Sequence, residues 1–287
     1  MLGKIKYPIY VISKGRFDKC LTANFLIKDD IDFTLVVEPQ EFDKYFKKYG
    51  DRVIKLPFSN LGLGSYPARN WCWEDSIVKG FTKHWILDDN INGVKRLYKG
   101  VRIPSNSQHA FKLVENITAN YINVGVSGMN YTMFAGAWTK SPVIINHHIY
   151  SNLLIQNDLP LRWRLRYNED TDLNLQVLEK GLCTLYINIF LIEKMGTMTM
   201  KGGNSDELYK GNGRLKMARM LEMVWPKYVQ TKWRYGRPQH VVSWNKFKQP
   251  LIKIENPKVI NLDDYGKLKV KSEIKSERLK KILGIYK

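Results

Sequence analysis

His84-Trp85-Ile86-Leu87-Asp88-Asp89-Asn90 joins an apolar run to a polar tip. Three large apolar residues follow a histidine and run into two adjacent carboxylates and an amide. A short buried strand accounts for the first part. Carboxylates are seldom buried unless paired or metal-bound, so the second part belongs at a rim. In open α/β sheets the rim at the carboxyl ends of the strands is where ligands bind. Oxygen groups there suit Mg²⁺ or Mn²⁺, and a divalent ion there suits a diphosphate. The competing reading is an Asp-Asp-Asn turn that only caps the strand. The stretch alone weighs the two equally.

Working back from it, Tyr7 to Ser13 reads as a buried strand, and Lys14-Gly15-Arg16 turns the chain. Phe17, Cys20, Leu21 and Phe25 fall on one helical face. Phe33 to Glu38 is a second strand, stopped by Pro39. Phe42, Tyr45, Phe46 and Tyr49 recur at helical spacing and end at Gly50. Arg52 to Pro57 is a third strand. Ser65 caps a helix with Pro67 in its first turn, running to about Val78. The order β-α-β-α-β-α-β over the first 90 residues implies a mainly parallel α/β sheet with helices on both faces, a Rossmann-type, nucleotide-binding architecture. Neither Gly-x-Gly-x-x-Gly after the first strand nor Gly-x-x-x-x-Gly-Lys-Ser/Thr occurs, which disfavours the dinucleotide and P-loop versions. A nucleotide would be held by a metal and by scattered strand-end residues.

Downstream, Ala110, Leu113, Val114, Ile117 and Tyr121 mark a helix. Val124 to Gly128, Tyr131 to Phe134 and Val143 to Asn146 read as strand segments. Asn168-Glu169-Asp170-Thr171-Asp172 opens a helix that Gly181 ends. Three carboxylates at a helix start complement its dipole, and taken alone that is the better reading. The functional alternative is one carboxylate projecting into a cleft as a general base. Thr184 to Glu193 is a strand. The glycine-rich Lys194 to Asn204 suits a phosphate wrap, a lid or a plain loop. Arg214 to Val224 is a helix, and Tyr235 to His240 a turn leading into Val241-Val242. Residues 1–250 are expected to form one domain, and 251–287 a basic appendage ending in a weak amphipathic helix (Ile274, Leu279, Ile282, Leu283).

The chain has 287 residues, 44% of them hydrophobic, enough for a substantial core. No run approaches the length of a membrane span and no signal peptide is evident. Cys20, Cys72 and Cys183 make no metal or disulfide pattern, so a cytosolic setting is expected. The net charge of +19 is the footprint of a polyanion partner. Residues 201–250 hold eleven Lys or Arg against three Asp or Glu, interleaved with Tyr209, Trp225, Tyr228, Trp233, Tyr235, Trp244 and Phe247. Basic residues hold phosphates and aromatics stack on exposed bases. A solvated basic surface is the reading for any one of them; nucleic-acid contact is favoured for the block.

The order of these features resembles the GT-A glycosyltransferases, with a nucleotide-sugar donor, an Asp-x-Asp-type metal motif and a later Glu-Asp. Tyr7-Pro-Ile-Tyr-Val-Ile-Ser-Lys-Gly-Arg16, Val37-Glu38-Pro39, Gly64-Ser-Tyr-Pro-Ala-Arg-Asn70, Asp88-Asp-Asn90, Asn168-Glu-Asp170, Met198-Thr-Met-Lys-Gly-Gly-Asn204 and Arg237-Pro-Gln-His240 resemble the TET-dioxygenase-associated glycosyltransferases of phages, over roughly residues 5–250. Those enzymes are similar to the base J glucosyltransferase. The resemblance implies a GT-A-like fold and transfer of a sugar, glucose or GlcNAc, from a UDP-sugar to 5-hydroxymethylpyrimidine, chiefly 5-hydroxymethylcytosine, in phage DNA. It implies Mn²⁺ or Mg²⁺, inversion, the cytoplasm of an infected bacterium, no membrane, and a link to a base-oxidising or hydroxylating enzyme. Asp170, with Glu169 second, becomes the catalytic base. Glu38, Arg69, Asn70, Asp88 and Lys201 become donor contacts, and Asp89, Asn90 and His240 metal ligands. Asn90 departs from the usual Asp-x-Asp, and an amide is the weaker ligand. Lys227, Lys232, Arg234 and Arg237 become phosphate contacts. Two alternatives stand beside this: a GT-A enzyme with a carbohydrate or lipid acceptor, and a non-catalytic nucleic-acid-binding protein. A nucleotidyltransferase is a weaker third.

Overall fold

The computed structural model describes residues 4–139, 141–195 and 213–261. The expected alternation is present: β1 (Ile9–Ile12), α1 (Leu21–Lys28), β2 (Thr34–Val37), α2 (Phe42–Tyr49), β3 (Val53–Lys55), α3 (Tyr66–Val78) and β4 (Lys83–Asp88). These strands pair in parallel in the order β3-β2-β1-β4. The chain thus winds outward from β1 and returns to its other side. That reversal opens a crevice between the carboxyl ends of β1 and β4.

The middle section holds more strand than its sequence suggested. β5 (Ile91–Tyr98), β6 (Val101–Ser105), α4 (Ser107–Thr118), β7 (Val124–Tyr131), β8 (Val143–Ile145), β9 (Asn152–Gln156), α5 (Glu169–Glu179) and β10 (Cys183–Lys194) follow. The sheet continues β4-β9-β7-β10-β5-β6, with β8 on β10. Strands β1, β2, β3, β4, β6, β7 and β10 share one direction; β5, β8 and β9 run against it. Met133 and Phe134, expected in a strand, are half-exposed in the turn after β7.

Strand alternation divides the core. Ile9, Val11, Trp85 and Leu87 point to one face, where α1, α2 and α4 cover them. Tyr10, Val36 and Ile86 point to the other, under Cys72 and Trp73 of α3 and Leu173 and Val177 of α5. The chain then forms α6 (Gly213–Val224) and a hairpin of β11 (Val229–Arg234) and β12 (Arg237–Val242). A third cluster, with Leu175 and Leu178 of α5, Leu221 of α6, and Tyr228, Val229 and Phe247, fixes that hairpin to the back of α5. Residues 251–261, the first part of the expected appendage, are held to the main body. Asn120 and Asn123 bond to Lys258, Pro250 and Ile252, and Leu251 and Ile260 pack on the core. Residues 196–204 of the expected Gly-rich segment and the expected terminal helix, with Lys201 and Tyr209, lie outside the described residues.

One topological feature builds the site. Only Asp89 and Asn90 separate β4 from β5, yet β5 does not pair with β4; it pairs with β10, with Ile91 opposite Lys194. The long β10 must therefore curl until its end lies over the end of β4. Register shifts between Ile187 and Leu191 and at Glu193/Lys194 supply the bend.

Candidate active site

A cleft of about 790 Å³ opens at the carboxyl ends of β1, β2 and β4. The loops leading into α3 and α5, the end of β10 and the start of β12 complete its wall. Its volume suits a nucleotide-sized ligand.

Asp88, the last residue of β4, is its electrostatic hub. Arg69 Nη2 donates to Oδ1 at 2.8 Å, and Lys194 Nζ and Ser151 Oγ donate to Oδ2 at 2.8 and 2.6 Å. Burial pushes this carboxyl up, but Lys194 and Arg69 outweigh it and hold it far below the usual carboxylate range. Arg69, on the first turn of α3, also stacks on Trp163, 4.7 Å from the ring, and lies 3.4 Å from Glu169 Oε1. Burial disfavours its charge, and Asp88, Glu169 and Asp170 more than restore it.

Asp89 has a different task. Arg16 Nη1 and Ser13 Oγ, from the loop after β1, donate to its two oxygens. Ser13 and Arg16 are held in turn by the Tyr45 hydroxyl at 2.7 and 3.0 Å. Burial pushes the Asp89 carboxyl up, only partly offset by Arg16 and Ser13. The first turn of α1 fixes the same corner, because Thr22 N donates to Asp89 O and Thr22 Oγ1 accepts from Ile91 N.

The three carboxylates at the start of α5 separate into three roles. Asp172 is fully buried and binds Arg164, Gln176 and Trp225, with Trp225 Nε1 at 2.7 Å. Glu169 accepts from Ser65 Oγ at 2.6 Å and so joins α5 to α3. Asp170 lines the cleft; its Oδ1 accepts the Thr171 amide at 2.8 Å. Burial, then the charges of Glu169 and Asp88, push its carboxyl up to about 7 against the pull of Arg69 and Lys194. That value suits a group that takes and gives a proton near neutral pH. Gly64, opposite, sits at φ +80°, where a Cβ would meet the Arg166 carbonyl oxygen at 2.6 Å. Only glycine lets the α3 entry loop close on the α5 entry loop.

Other expected residues divide. Glu38 lines the cleft at the end of β2, 3.2 Å from Lys14 Nζ. Asn70 lies outside it; its amide clamps the Trp163 backbone through bonds of 2.7 and 3.0 Å, supporting the ring under Arg69. Asn90 and His240 line the cleft, and Asn90 Oδ1 and His240 Nδ1 are buried without a hydrogen-bond partner. Burial lowers the His240 pKa and keeps the ring a neutral acceptor. Among the described residues no group of three or more His, Cys, Asp and Glu is arranged to hold a metal ion. Lys227, Lys232, Arg234 and Arg237 are exposed, the last three on the hairpin. Unassigned beforehand were Ser13, Arg16, Ser151 and Lys194. Each sits at a strand or loop end next to an apolar run, a signal legible only once Asp88 and Asp89 had been given different partners.

The switch-point crevice, the carboxylates and the ring of cations mark an α/β protein with an enzyme-like cleft. The family model of the TET-Associated Glycosyltransferases matches residues 7–203, which span both carboxylate pairs, and the chain belongs to that family. It is therefore a glycosyltransferase. A search of curated proteins gives no match. Among solved structures, the inositol-1-phosphate CTP transferase from T. maritima is similar at a TM-score of 0.37 and 10% identity, covering 67% of this chain and 89% of that one. Among the described residues, no helix is long and apolar enough to cross a membrane.

Proposed function

We propose that the enzyme transfers a hexose, glucose or GlcNAc, from a UDP-sugar to the hydroxymethyl oxygen of a 5-hydroxymethylpyrimidine in DNA, with 5-hydroxymethylcytosine the first candidate. The observation that carries this reading is Asp170: a cleft carboxyl with a pKa raised to about 7, beside Asp88 and its two cations. In this reading Asp170 accepts the proton of the hydroxymethyl group as its oxygen attacks the anomeric carbon. The C–O bond to the diphosphate breaks, and one displacement inverts the centre.

Glu38, at the strand tip beside Lys14, meets the uridine ribose. Asp88, locked by Arg69 and Lys194, orients the sugar hydroxyls. Lys14, Arg166 and Arg214 line the same cleft and offset the charge that develops on the leaving diphosphate. Asn90 and His240 present the acceptor atoms that would hold Mg²⁺ or Mn²⁺ together with the diphosphate; Asp89, spent on Arg16 and Ser13, contributes the loop instead. Mg²⁺ is often held in this way, by few protein groups plus substrate phosphates, and supplies Lewis-acid stabilisation of the leaving group. Lys227, Lys232, Arg234 and Arg237 meet DNA phosphates. In this reading an enzyme that oxidises or hydroxylates the base at its 5-position supplies the acceptor. The test is UDP release with duplexes containing 5-hydroxymethylcytosine or plain cytosine. Release with the first only, lost in Asp170→Ala, supports the reading. Equal release with both, or full activity in the variant, overturns it.

A further inference from the structure

Of the seven aromatics in the basic block, those that pack are now distinguishable. Tyr228 and Phe247 are in the third core cluster, Trp225 is bonded to Asp172, and Trp244 lies against His147 and His148. Trp233 and Tyr235 instead stand in solvent at the end of the β11–β12 hairpin, 74% and 90% exposed. The turn has two residues, Tyr235 at φ 51° and Gly236 at φ 69°. A tyrosine is an unfavourable choice for that left-handed position, where Asn or Asp is usual. Directly below the turn, Arg234 faces Arg237 across the strands. Like charges in that register repel each other unless an anion lies between or beside them.

The hairpin is also rigidly tied to the chemistry. Its base packs on Leu175 and Leu178 of α5, the helix whose first turn carries Asp170. Arg237, next to the turn, already lines the cleft, and Pro238, Gln239 and His240 continue into it. The aromatic tip therefore stands at the cleft mouth, ringed by Lys232, Arg234 and Arg237.

We propose that the Trp233–Tyr235 tip is a wedge that enters duplex DNA and takes the stacking place of the target base when that base turns out into the cleft. This rests on the proposed DNA substrate. A base whose substituent is to react must leave the stack. Side chains wedged between base steps lower the penalty of the opened state. Two aromatic faces can replace the lost stacking, while the flanking arginines hold the phosphates on either side.

The experiment compares Trp233→Ala/Tyr235→Ala with the unaltered enzyme on one 5-hydroxymethylcytosine in three settings: paired in a duplex, opposite an abasic site, and in a single strand. A second readout needs no transfer: the fluorescence of 2-aminopurine beside the target, with enzyme and UDP alone. The proposal expects the variant to lose on the order of tenfold or more in kcat/KM on the paired duplex. It expects rates within about twofold on the other two substrates, and a fluorescence rise with the unaltered enzyme only. Tyr235→Phe, which keeps the ring, should keep the duplex rate. An equal loss on all three substrates, or no loss on the duplex, overturns the wedge, as does an equal fluorescence rise with both proteins. If no substrate is glycosylated but the fluorescence rise depends on the tip, the wedge stands and the transfer reading fails.

Discussion

Replacing Asp170 by Asn should make the protein more stable at pH 8 while it loses activity. The Asp170 carboxyl is raised from its ordinary 3.8 to about 7 by burial and by Glu169. Between those two values the folded protein holds a proton that the unfolded chain has released. Stability associated with this group is therefore fully present below pH 3.8 and is lost as pH rises through 7. At roughly 1.36 kcal/mol per pKa unit, the loss above pH 7 is about 4 kcal/mol. Asn is neutral and close in shape to the protonated acid, so Asp170→Asn removes that loss. The expected gain is on the order of 4 kcal/mol at pH 8 and only about 1.6 kcal/mol at pH 5, measured by urea unfolding at both values. Transfer should fall by roughly 10²–10⁴ because the base is gone. A variant that is less stable than the parent at pH 8, or equally shifted at both pH values, would refute an uncomfortably buried charge at Asp170.

The acid limb of kcat/KM against pH should lie near 7, with activity rising as Asp170 ionises, and Glu169→Gln should move it to lower pH by removing the nearest negative neighbour; a limb unmoved in that variant assigns the titration elsewhere. Lys194→Met strips Asp88 of its 2.8 Å partner and should cut kcat about 10²-fold and also lower the melting temperature, because a half-buried carboxylate loses the largest charge that holds it ionised; steady-state kinetics and thermal unfolding read the two effects. Asp172→Ala leaves Trp225 and Gln176 without their buried acceptor while the half-exposed Arg164 turns to water, and should destabilise by about 1–3 kcal/mol, whereas activity at low temperature persists. Gly64→Ala forces a Cβ to 2.6 Å from the Arg166 carbonyl at φ +80° and should lower both stability and donor affinity, measured by unfolding and by UDP titration.

The parallel half of the fold was legible because its physics is local. Apolar runs such as Trp85 to Leu87, helices spaced like Phe42 to Tyr49, and the Ser65-Tyr66-Pro67 start signal each point to one structure. The mixed half was legible only in part: Val124 to Gly128, Val143 to Asn146 and Thr184 to Glu193 read as strands and are β7, β8 and β10, but β5, β6 and β9 were not expected. Ile91 to Ser105 carries Lys95, Arg96, Lys99 and Arg102, and it becomes a strand pair only because β10 bends back to receive it. No short window of sequence contains that bend. The site divides along the same line. The Asp88-Asp89-Asn90 stretch was read from its place at a strand end, whereas the roles of Glu38, Arg69 and Asp170 came only from the family resemblance, since a carboxylate at a helix start reads first as a complement to the helix dipole. The separate fates of Asp88 and Asp89 depend on Lys194 and Arg16, which lie 106 and 73 residues away from them in the chain. Asn70 was read with Arg69 as one motif, but one step along a helix turns a side chain about 100°, and Asn70 meets Trp163 instead of the cleft.

The most direct test of the central claim is mass spectrometry of nucleosides from 5-hydroxymethylcytosine DNA incubated with the enzyme, Mn²⁺ and either UDP-glucose or UDP-GlcNAc. The modified nucleoside should gain one sugar residue from one of the two donors, and the gain should vanish with EDTA and in Asp170→Ala. DNA that stays unmodified with both donors, and also when hydroxymethyluracil replaces hydroxymethylcytosine, would contradict that claim and move the acceptor from DNA to a carbohydrate or lipid.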